Sequence, residues 1–483
     1  MKSTPNFRYV TLADQIQDNI TQGLFRPGDK LPSLRRLHTR LGLSVSTVHH
    51  AYIELEKRGR VEAREKSGFY VRPLDRSPLA VPRQVHAEAR PSRVHINDLL
   101  RTIIAELADE DILQLGTAVC SRELMPLKQL TRIMKSIPGD SLGTFLSNYE
   151  DCAGNISLRQ AVSQQMLGHA CSITPEEVVT TNGCLDAVSL CLRAVAEPGD
   201  TILVESPVFH CFLQLIEDLN LYVLELPCCP EEGINLKNLE KALDANQVKA
   251  CILNSNFQNP LGYAVSKEKK AAILEITQSR GLPVIEDDIY GDLYFSGSRP
   301  PTFKSMDREG MVLYCSSFSK TLAPGLRTGW TLPGRFLKKV LRMKSSTTIS
   351  NAGINQAVAA EFISTGAYDR HLRKLRNQIK NQASALAMAL SKHFPRDTRI
   401  TFPTGGMCIW VVLNKKIDSM DIYHRAHAKK ISILPGKICS SSDRYNHCLR
   451  LNCGIKRGPR MEQGIMALGK IIRQEYRDLD IPV

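Results

Sequence analysis

"CSSFSKTLAPGLRTGW", residues 315–330, places Lys320 directly behind Ser319, with Ser317 just upstream and Arg327 a short loop downstream. The run "MVLYCSS" (311–317) leads into it. That run is short, apolar and β-prone, so it predicts a strand whose C-terminal end delivers the serines and the lysine. A lysine among serines is, by itself, most often a surface loop. Its meaning depends on what the other strand ends carry.

Upstream, "TILVE" (201–205), "ACILNSN" (250–256) and "PVIEDD" (283–288) have the same character. Helical patterns separate them, for example 184–196, where Leu185, Val188, Leu192 and Val195 are expected on one face. Strands alternating with helices predict an α/β fold with a mostly parallel sheet. Each strand carries its distinctive polar residues at or just past its C-terminal end: Glu205-Ser-Pro, Asn254 to Asn259, Asp287, and Ser317 to Lys320. Open α/β sheets bind ligands outside that edge, so the four ends can converge on one site.

The residue types then select a ligand. A lysine amine forms a Schiff base with an aldehyde, and a carboxylate facing a pyridine nitrogen keeps it protonated so that the ring withdraws electrons. Lys320 and Asp287 together describe pyridoxal 5′-phosphate. "TNGCLDA" (181–187) is a Gly-containing turn entering a helix, which aims the backbone amides of Gly183, Cys184 and Leu185 at the phosphate. Ser317 and Ser319 can donate hydroxyl hydrogen bonds to it and Arg327 a charge-assisted pair. Phe209 offers a flat face for ring stacking.

The first seventy residues have a different pattern. Tyr9, Leu12, Ile16 and Ile20, then Leu34, Leu37 and Leu41, then Val48, Ala51, Tyr52 and Leu55 mark the apolar stripes of three short helices. Ser33 is expected to cap the second helix and Ser46 the third, across the Gly-containing turn "LGLSVS" (41–46), which is helix-turn-helix spacing. "RVEAREKSGFYVRP" (60–73) reads as a β-hairpin wing turning at Lys66-Ser67-Gly68. Such a unit lays the start of its recognition helix in the major groove and a basic wing on the backbone or minor groove. The residues expected at DNA are Arg35, Arg36, Ser44, Ser46, Thr47, His49, Arg64 and Lys66. Charge agrees: of the net +14, residues 1–95 hold 17 Lys and Arg against 9 Asp and Glu, a net of +8.

Between the two patterns, residues 74–95 are rich in proline and arginine and predict an extended connector. The expected organisation is a DNA-binding domain over 1–73, the connector over 74–95, and a cofactor domain over 96–483. The last divides into a large subdomain of about 130–360 and a small α+β subdomain from 96–129 and 361–483. No run of about eighteen apolar residues occurs and "MKSTPNFRYV" is no secretory leader, so the expected place is the cytoplasm. The 14 cysteines are scattered and never fall in a Cys-x-x-Cys pair, which argues for reduced thiols and against structural zinc.

Two resemblances follow from these motifs. "PGDKLPSLRRL", "LGLS", "TVHHAYIELEKRG" and "SGFYV" resemble the winged-helix domain of the GntR family of bacterial regulators. That family commonly has arginine directly after the turn serine, where it reads a guanine edge. This chain has Val45, which offers only apolar contact, for example with a thymine methyl. "NYEDCAGNISLRQAV", "NGCLDA", "ESPVF", "NPLG", "DDIYGD", "SFSKTLAPGLRTGW", "PTGGMCIWV" and "CLRLN" resemble, in order, the class I/II aminotransferases of the fold type I pyridoxal-phosphate superfamily. By that resemblance Lys320 carries the cofactor, Asp287 pairs with the ring nitrogen, and Asn259 and Tyr290 bind the phenolic oxygen. Tyr149 reaches the phosphate from the partner subunit, and Arg450 holds a substrate or effector carboxylate.

The combination resembles the MocR subfamily, which implies a homodimeric, DNA-binding transcriptional regulator that senses an amino compound or the cofactor. Two alternatives stand beside it: an active aminotransferase with an accessory DNA-binding domain, and a regulator whose C-terminal half only dimerises.

Overall fold

Helices α1 (Arg8–Thr21), α2 (Leu34–Leu41) and α3 (Val45–Lys57) are each marginal in isolation at this length and depend on a shared core. A hairpin, β1 (Val61–Arg64) antiparallel to β2 (Gly68–Val71), closes it. Leu12, Ala13, Ile16, Val48, Ala51, Tyr52, Leu55, Val61 and Val71 are buried together. Each large side chain among them contributes roughly 1.5–3 kcal/mol by leaving water. The Tyr52 hydroxyl donates to the Pro32 carbonyl at 2.7 Å and so ties α3 to the turn before α2.

The chain is seen in a computed structural model that describes residues 8–21, 25, 29–64, 67–71, 79–85, 89–94, 102–103, 105–106, 109–295 and 297–482. Its contacts divide it into two units, Met1–Pro78 and Leu79–Val483. Lys66 lies outside the described residues, as do the side chains of Ile20 and Arg64.

Two local expectations change. Ser33 caps α2, but the cap of α3 is Ser44, whose hydroxyl accepts from the Thr47 amide at 3.1 Å. Gly42 ends α2 at φ 64, and only Leu43 intervenes before the next cap, so α3 starts earlier than Ser46 allows. Ser46 instead bonds the Ser44 hydroxyl at 2.9 Å. Leu41, expected in the core stripe, is 44% exposed because it falls in the last turn of α2, where the helix stops.

The expected connector also behaves differently once past Pro78. Leu79 is buried in the large core, and the Ala80 carbonyl accepts from the Ile400 amide at 2.9 Å. Ser92 exchanges both backbone bonds with Val223, and Val94 is buried. Residues 74–78, 86–88 and 95 of this stretch lie outside the described residues.

In the second unit an eight-stranded sheet runs in the order β3-β10-β9-β8-β7-β4-β5-β6. These are β3 (Val179–Thr181), β4 (Thr201–Ser206), β5 (Tyr222–Cys229), β6 (Gly233–Ile234), β7 (Val248–Leu253), β8 (Val284–Asp287), β9 (Val312–Ser317) and β10 (Gly329–Leu332). The five central strands are parallel, while β3, β10 and β6 pair antiparallel. Strands β4 and β7 are neighbours although β5 and β6 intervene in sequence, which is the reversal of winding that opens a ligand crevice at their C-terminal ends.

Helix α4 (Cys184–Val195) lies on this sheet with Cys184, Ala187, Val188, Cys191, Leu192 and Val195 buried. Leu185 departs from its expected place: it stands about 100° round from Cys184, at the margin of the buried face, and is 38% exposed. A second, antiparallel sheet runs β11-β12-β14-β13, from β11 (Arg399–Ile400), β12 (Cys408–Val412), β13 (Leu434–Pro435) and β14 (Cys448–Asn452). All 14 cysteines are free and 11 of them are buried. Among the described residues no helix is long and apolar enough to cross a membrane.

Candidate functional site

The C-terminal ends of β4, β7, β8 and β9 bring their polar residues into one linked set. Asp287 closes β8 with its carboxylate buried. Its Oδ1 accepts from the Ile289 amide at 3.1 Å and from the Cys184 thiol at 3.2 Å. Its Oδ2 carries no hydrogen bond among the described residues. Burial pushes the carboxyl up to about 6, against the two hydrogen bonds and the Lys320 charge, which act in the opposite direction.

Asn254, expected at this strand end without a role of its own, organises the neighbourhood. Its Nδ2 donates to the Asp287 carbonyl at 2.6 Å, and its Oδ1 accepts from the Asn259 amide at 2.8 Å. Asn259 in turn gives its Oδ1 to Arg450 Nη1 at 2.9 Å. That leaves Asn259 Nδ2 as the donor available to a ligand oxygen. Tyr290 is buried nearby, and burial raises its hydroxyl well above the usual tyrosine range, so it remains a donor.

Lys320 is half-buried and donates from Nζ to the Ala118 carbonyl at 2.7 Å. Its pKa is lowered, first by desolvation and then by the positive charge of Arg450. Both effects favour the neutral amine that attacks an aldehyde. Arg450 is buried, donates from Nη2 to the Gly116 carbonyl at 2.7 Å, and keeps an unpartnered Nε. His210, which no expectation included, is buried beside Phe209, and its Nδ1 has no partner among the described residues. Burial, then the Arg450 charge, holds its pKa well below the usual histidine range, so it is neutral.

At the far end of the crevice Gly183 precedes α4 with φ 99, a conformation that other residues rarely adopt. A Cβ there would come within 2.8 Å of Arg327 Nη2, so the end of this arginine would have to shift to admit one. Arg327 is exposed and donates to the Asn182 carbonyl. The loop behind β9 is pinned where the Ser319 amide donates to the Ser317 hydroxyl at 3.3 Å. Phe209 is half-buried, its ring 4.8 Å from that of His210 and 5.3 Å from that of Phe212. Tyr149 stands apart from this set and is 84% exposed.

The arrangement fits pyridoxal 5′-phosphate on its own chemistry. It offers a buried carboxylate with one open oxygen for a ring nitrogen, an amine of lowered pKa for an aldehyde, and a helix N-terminus with an arginine for a phosphate. The unpartnered Nε of Arg450 and Nδ1 of His210 mark a polar wall that a further ligand can satisfy. His210 had a signal in the sequence, since it directly follows the stacking aromatic in "PVFH". The carbonyls of Gly116 and Ala118 had none, because a backbone acceptor leaves no side-chain trace.

In the first unit Arg35, Arg36, Ser44, Ser46 and His49 are exposed and Thr47 is half-buried. Arg64 ends β1 opposite Gly68. Val45, the first residue of α3, is 41% exposed among these polar groups.

Comparison with known proteins agrees with both halves. Residues 110–459 match the family described as aminotransferase class I and II, and residues 8–71 match the bacterial regulatory proteins of the gntR family. The chain is 36% identical to the HTH-type transcriptional regulator YdcR of Escherichia coli strain K12, over 97% of this chain and 99% of that protein. It is 34% identical to YjiR of the same organism, over 98% and 100%. Among solved structures, LysN, an alpha-aminoadipate aminotransferase from Thermus thermophilus complexed with N-(5′-phosphopyridoxyl)-L-leucine, superposes with TM-score 0.73 at 27% identity. The match covers 79% of this chain and 96% of that one.

Proposed function

Because the chain belongs to the aminotransferase class I and II family and opens with a GntR-family helix-turn-helix unit, as MocR-like regulators do, we propose a transcriptional regulator that binds duplex DNA and holds pyridoxal 5′-phosphate as a sensor. The observation that carries the cofactor reading is the buried Asp287 carboxylate with its open oxygen, sharing one crevice with Lys320. When bound, the cofactor supplies an aldehyde for amines and an electron-withdrawing ring. Lys320 would hold that aldehyde until an amino compound displaces it. Asp287 would hold the proton on the ring nitrogen, and Asn259 Nδ2 and Tyr290 would donate to the phenolic oxygen. Gly183, Cys184 and Leu185 would bind the phosphate through backbone amides, with Ser317, Ser319 and Arg327, and Phe209 would stack on the ring. Arg450 would take the carboxylate of the incoming compound.

A second copy of the chain is part of this reading. The helix 139–147 has no buried residue, Leu146 is 74% exposed, and Tyr149 follows just behind it. That apolar surface fits a homodimer in which Tyr149 reaches the partner's phosphate site.

The test uses the full-length protein loaded with pyridoxal phosphate and a duplex selected by it from a random pool. Affinity is measured while amino acids are added singly. A regulator of this kind changes DNA affinity with one amino compound, because that compound binds the two states unequally. Steady release of a keto acid with unchanged DNA affinity would instead establish the aminotransferase reading. The DNA affinity itself should fall steeply with salt, as phosphate contacts by Arg35, Arg36 and the wing require.

The first turn of α3 carries a separate prediction. Val45→Arg is expected to shift the selected sequence toward guanine at one position of each half-site, with roughly 1–3 kcal/mol of discrimination. Identical sequences selected by the wild type and the variant would remove Val45 from the base-reading face.

A further inference from the structure

The Cys184 side chain has a place that its expected backbone role does not explain. It is the first residue of α4, the helix whose N-terminus faces the phosphate position, yet its thiol lies 3.2 Å from Asp287 Oδ1. Asp287 belongs to β8, which is central in the sheet, so the contact joins the phosphate end of the crevice to the ring-nitrogen end. With the Ile289 amide on the same oxygen, the carboxylate is held in one rotamer and presents Oδ2 outward. The geometry points to Cys184 as a positioning residue for Asp287: its thiol fixes and stabilises the ionised carboxylate that pairs with the cofactor's ring nitrogen, and couples that pairing to the seating of the phosphate helix.

The chemistry is consistent in sign. Burial, then the Asp287 charge, keeps the Cys184 thiol well above its ordinary range, so it remains S–H and can donate at any physiological pH. Asp287, buried and shifted upward, has little margin to lose before it protonates at neutral pH. An S–H donor is weak, but a hydrogen bond to a buried ionised acceptor is strengthened by the charge and the low local dielectric. Removing it raises the carboxyl pKa further. A carboxylate that protonates more readily is a poorer partner for a pyridinium, so the ring nitrogen loses its proton at lower pH.

This inference rests on the cofactor reading above, and the test separates the two. Full-length wild type, Cys184→Ala and Cys184→Ser are loaded with 15N-labelled pyridoxal phosphate, and the ring-nitrogen resonance is followed across pH together with the cofactor dissociation constant. Cys184→Ala is expected to lower the protonation midpoint by about half a pH unit or more and to weaken binding about threefold to tenfold, the size of one ordinary net hydrogen bond, as suits a weak S–H donor on a charged acceptor. Cys184→Ser, which restores a donor, is expected to recover the wild-type midpoint. Thermal unfolding of the cofactor-free proteins identifies a folding defect, and Cys184→Ser then decides the matter, because it keeps the volume nearly unchanged. An unchanged midpoint in Cys184→Ala, or a Cys184→Ser midpoint displaced as far as that of Cys184→Ala, overturns the positioning role. A wild type that binds no pyridoxal phosphate overturns the cofactor reading instead.

Discussion

Lys320→Ala is expected to abolish covalent capture of pyridoxal phosphate. Borohydride reduction of the loaded wild type should leave a stable mass increase on the peptide containing Lys320, and the variant should show none at any cofactor concentration. The side chain is half-buried, donates among the described residues only to the Ala118 carbonyl, and has its pKa lowered by desolvation and by Arg450. Among the described residues the other lysines of lowered pKa, Lys270 and Lys344, donate instead to the Pro301 and Thr180 carbonyls. Replacing it removes one hydrogen bond but also relieves a buried amine whose pKa is lowered by desolvation, so the variant should unfold within about 1 kcal/mol of the wild type. A surface amine would not show this loss. If the variant still acquired the full label, the amine that holds the aldehyde would have to be sought elsewhere, and the sensing mechanism would need another residue at its centre. If it lost the label but responded to the same amino compound through DNA affinity, the response would not pass through covalent capture by Lys320.

Asp287→Asn is expected to act in opposite directions on stability and on cofactor binding. In the cofactor-free protein, burial lifts the Asp287 carboxyl from 3.8 to about 6. The folded chain therefore binds a proton between those values that the unfolded chain has already released. Stability from this group is intact below about pH 4, declines as pH rises toward 6, and is absent above it, a difference of about 3 kcal/mol. Asparagine removes the buried charge, so the cofactor-free variant should be more stable than wild type at pH 8 and similar to it near pH 4. With pyridoxal phosphate the order reverses, because the neutral amide cannot hold the ring-nitrogen proton. Losing a charged hydrogen bond of about 1.5–3 kcal/mol predicts roughly ten- to hundredfold weaker binding. Denaturant titration of both proteins at the two pH values, with and without cofactor, checks all four corners. A variant no more stable than wild type at pH 8 would show that Asp287 is not a stored electrostatic cost.

The sequence was most legible where chemistry and chain direction coincide. Parallel strands all deliver their C-terminal ends to one edge, so Glu205, Asn254, Asp287 and Ser317 could be brought together before any coordinates. The edge strand β3 and its neighbour β10 were not foreseen. Both are short, and the antiparallel return of β10 beside β9 follows from a tight loop that alternation of strand and helix does not reveal. Leu41 and Leu185 show the limit of apolar spacing: a residue can sit on the correct stripe and yet lie in a terminal turn, where no neighbour covers it. Ser44 and Ser46 show that two capping residues in one turn are separated only by where the preceding helix ends. Asn254 was assigned to a strand, but β7 stops at Leu253 because the asparagine serves Asp287 and Asn259 rather than the ladder.

The distribution of thiols gives the molecule a built-in clock. Every cysteine lies between Cys120 and Cys453, and none falls in Met1–Pro78. Alkylation requires a thiolate in contact with water, so the 11 buried sulfurs react only during excursions that open the structure around them. Counting labelled cysteines against time therefore times the breathing of the cofactor-binding unit while the DNA-binding unit stays silent. Cys184, at Asp287, times the crevice itself, and its lag on adding a ligand would measure occupancy without any chromophore.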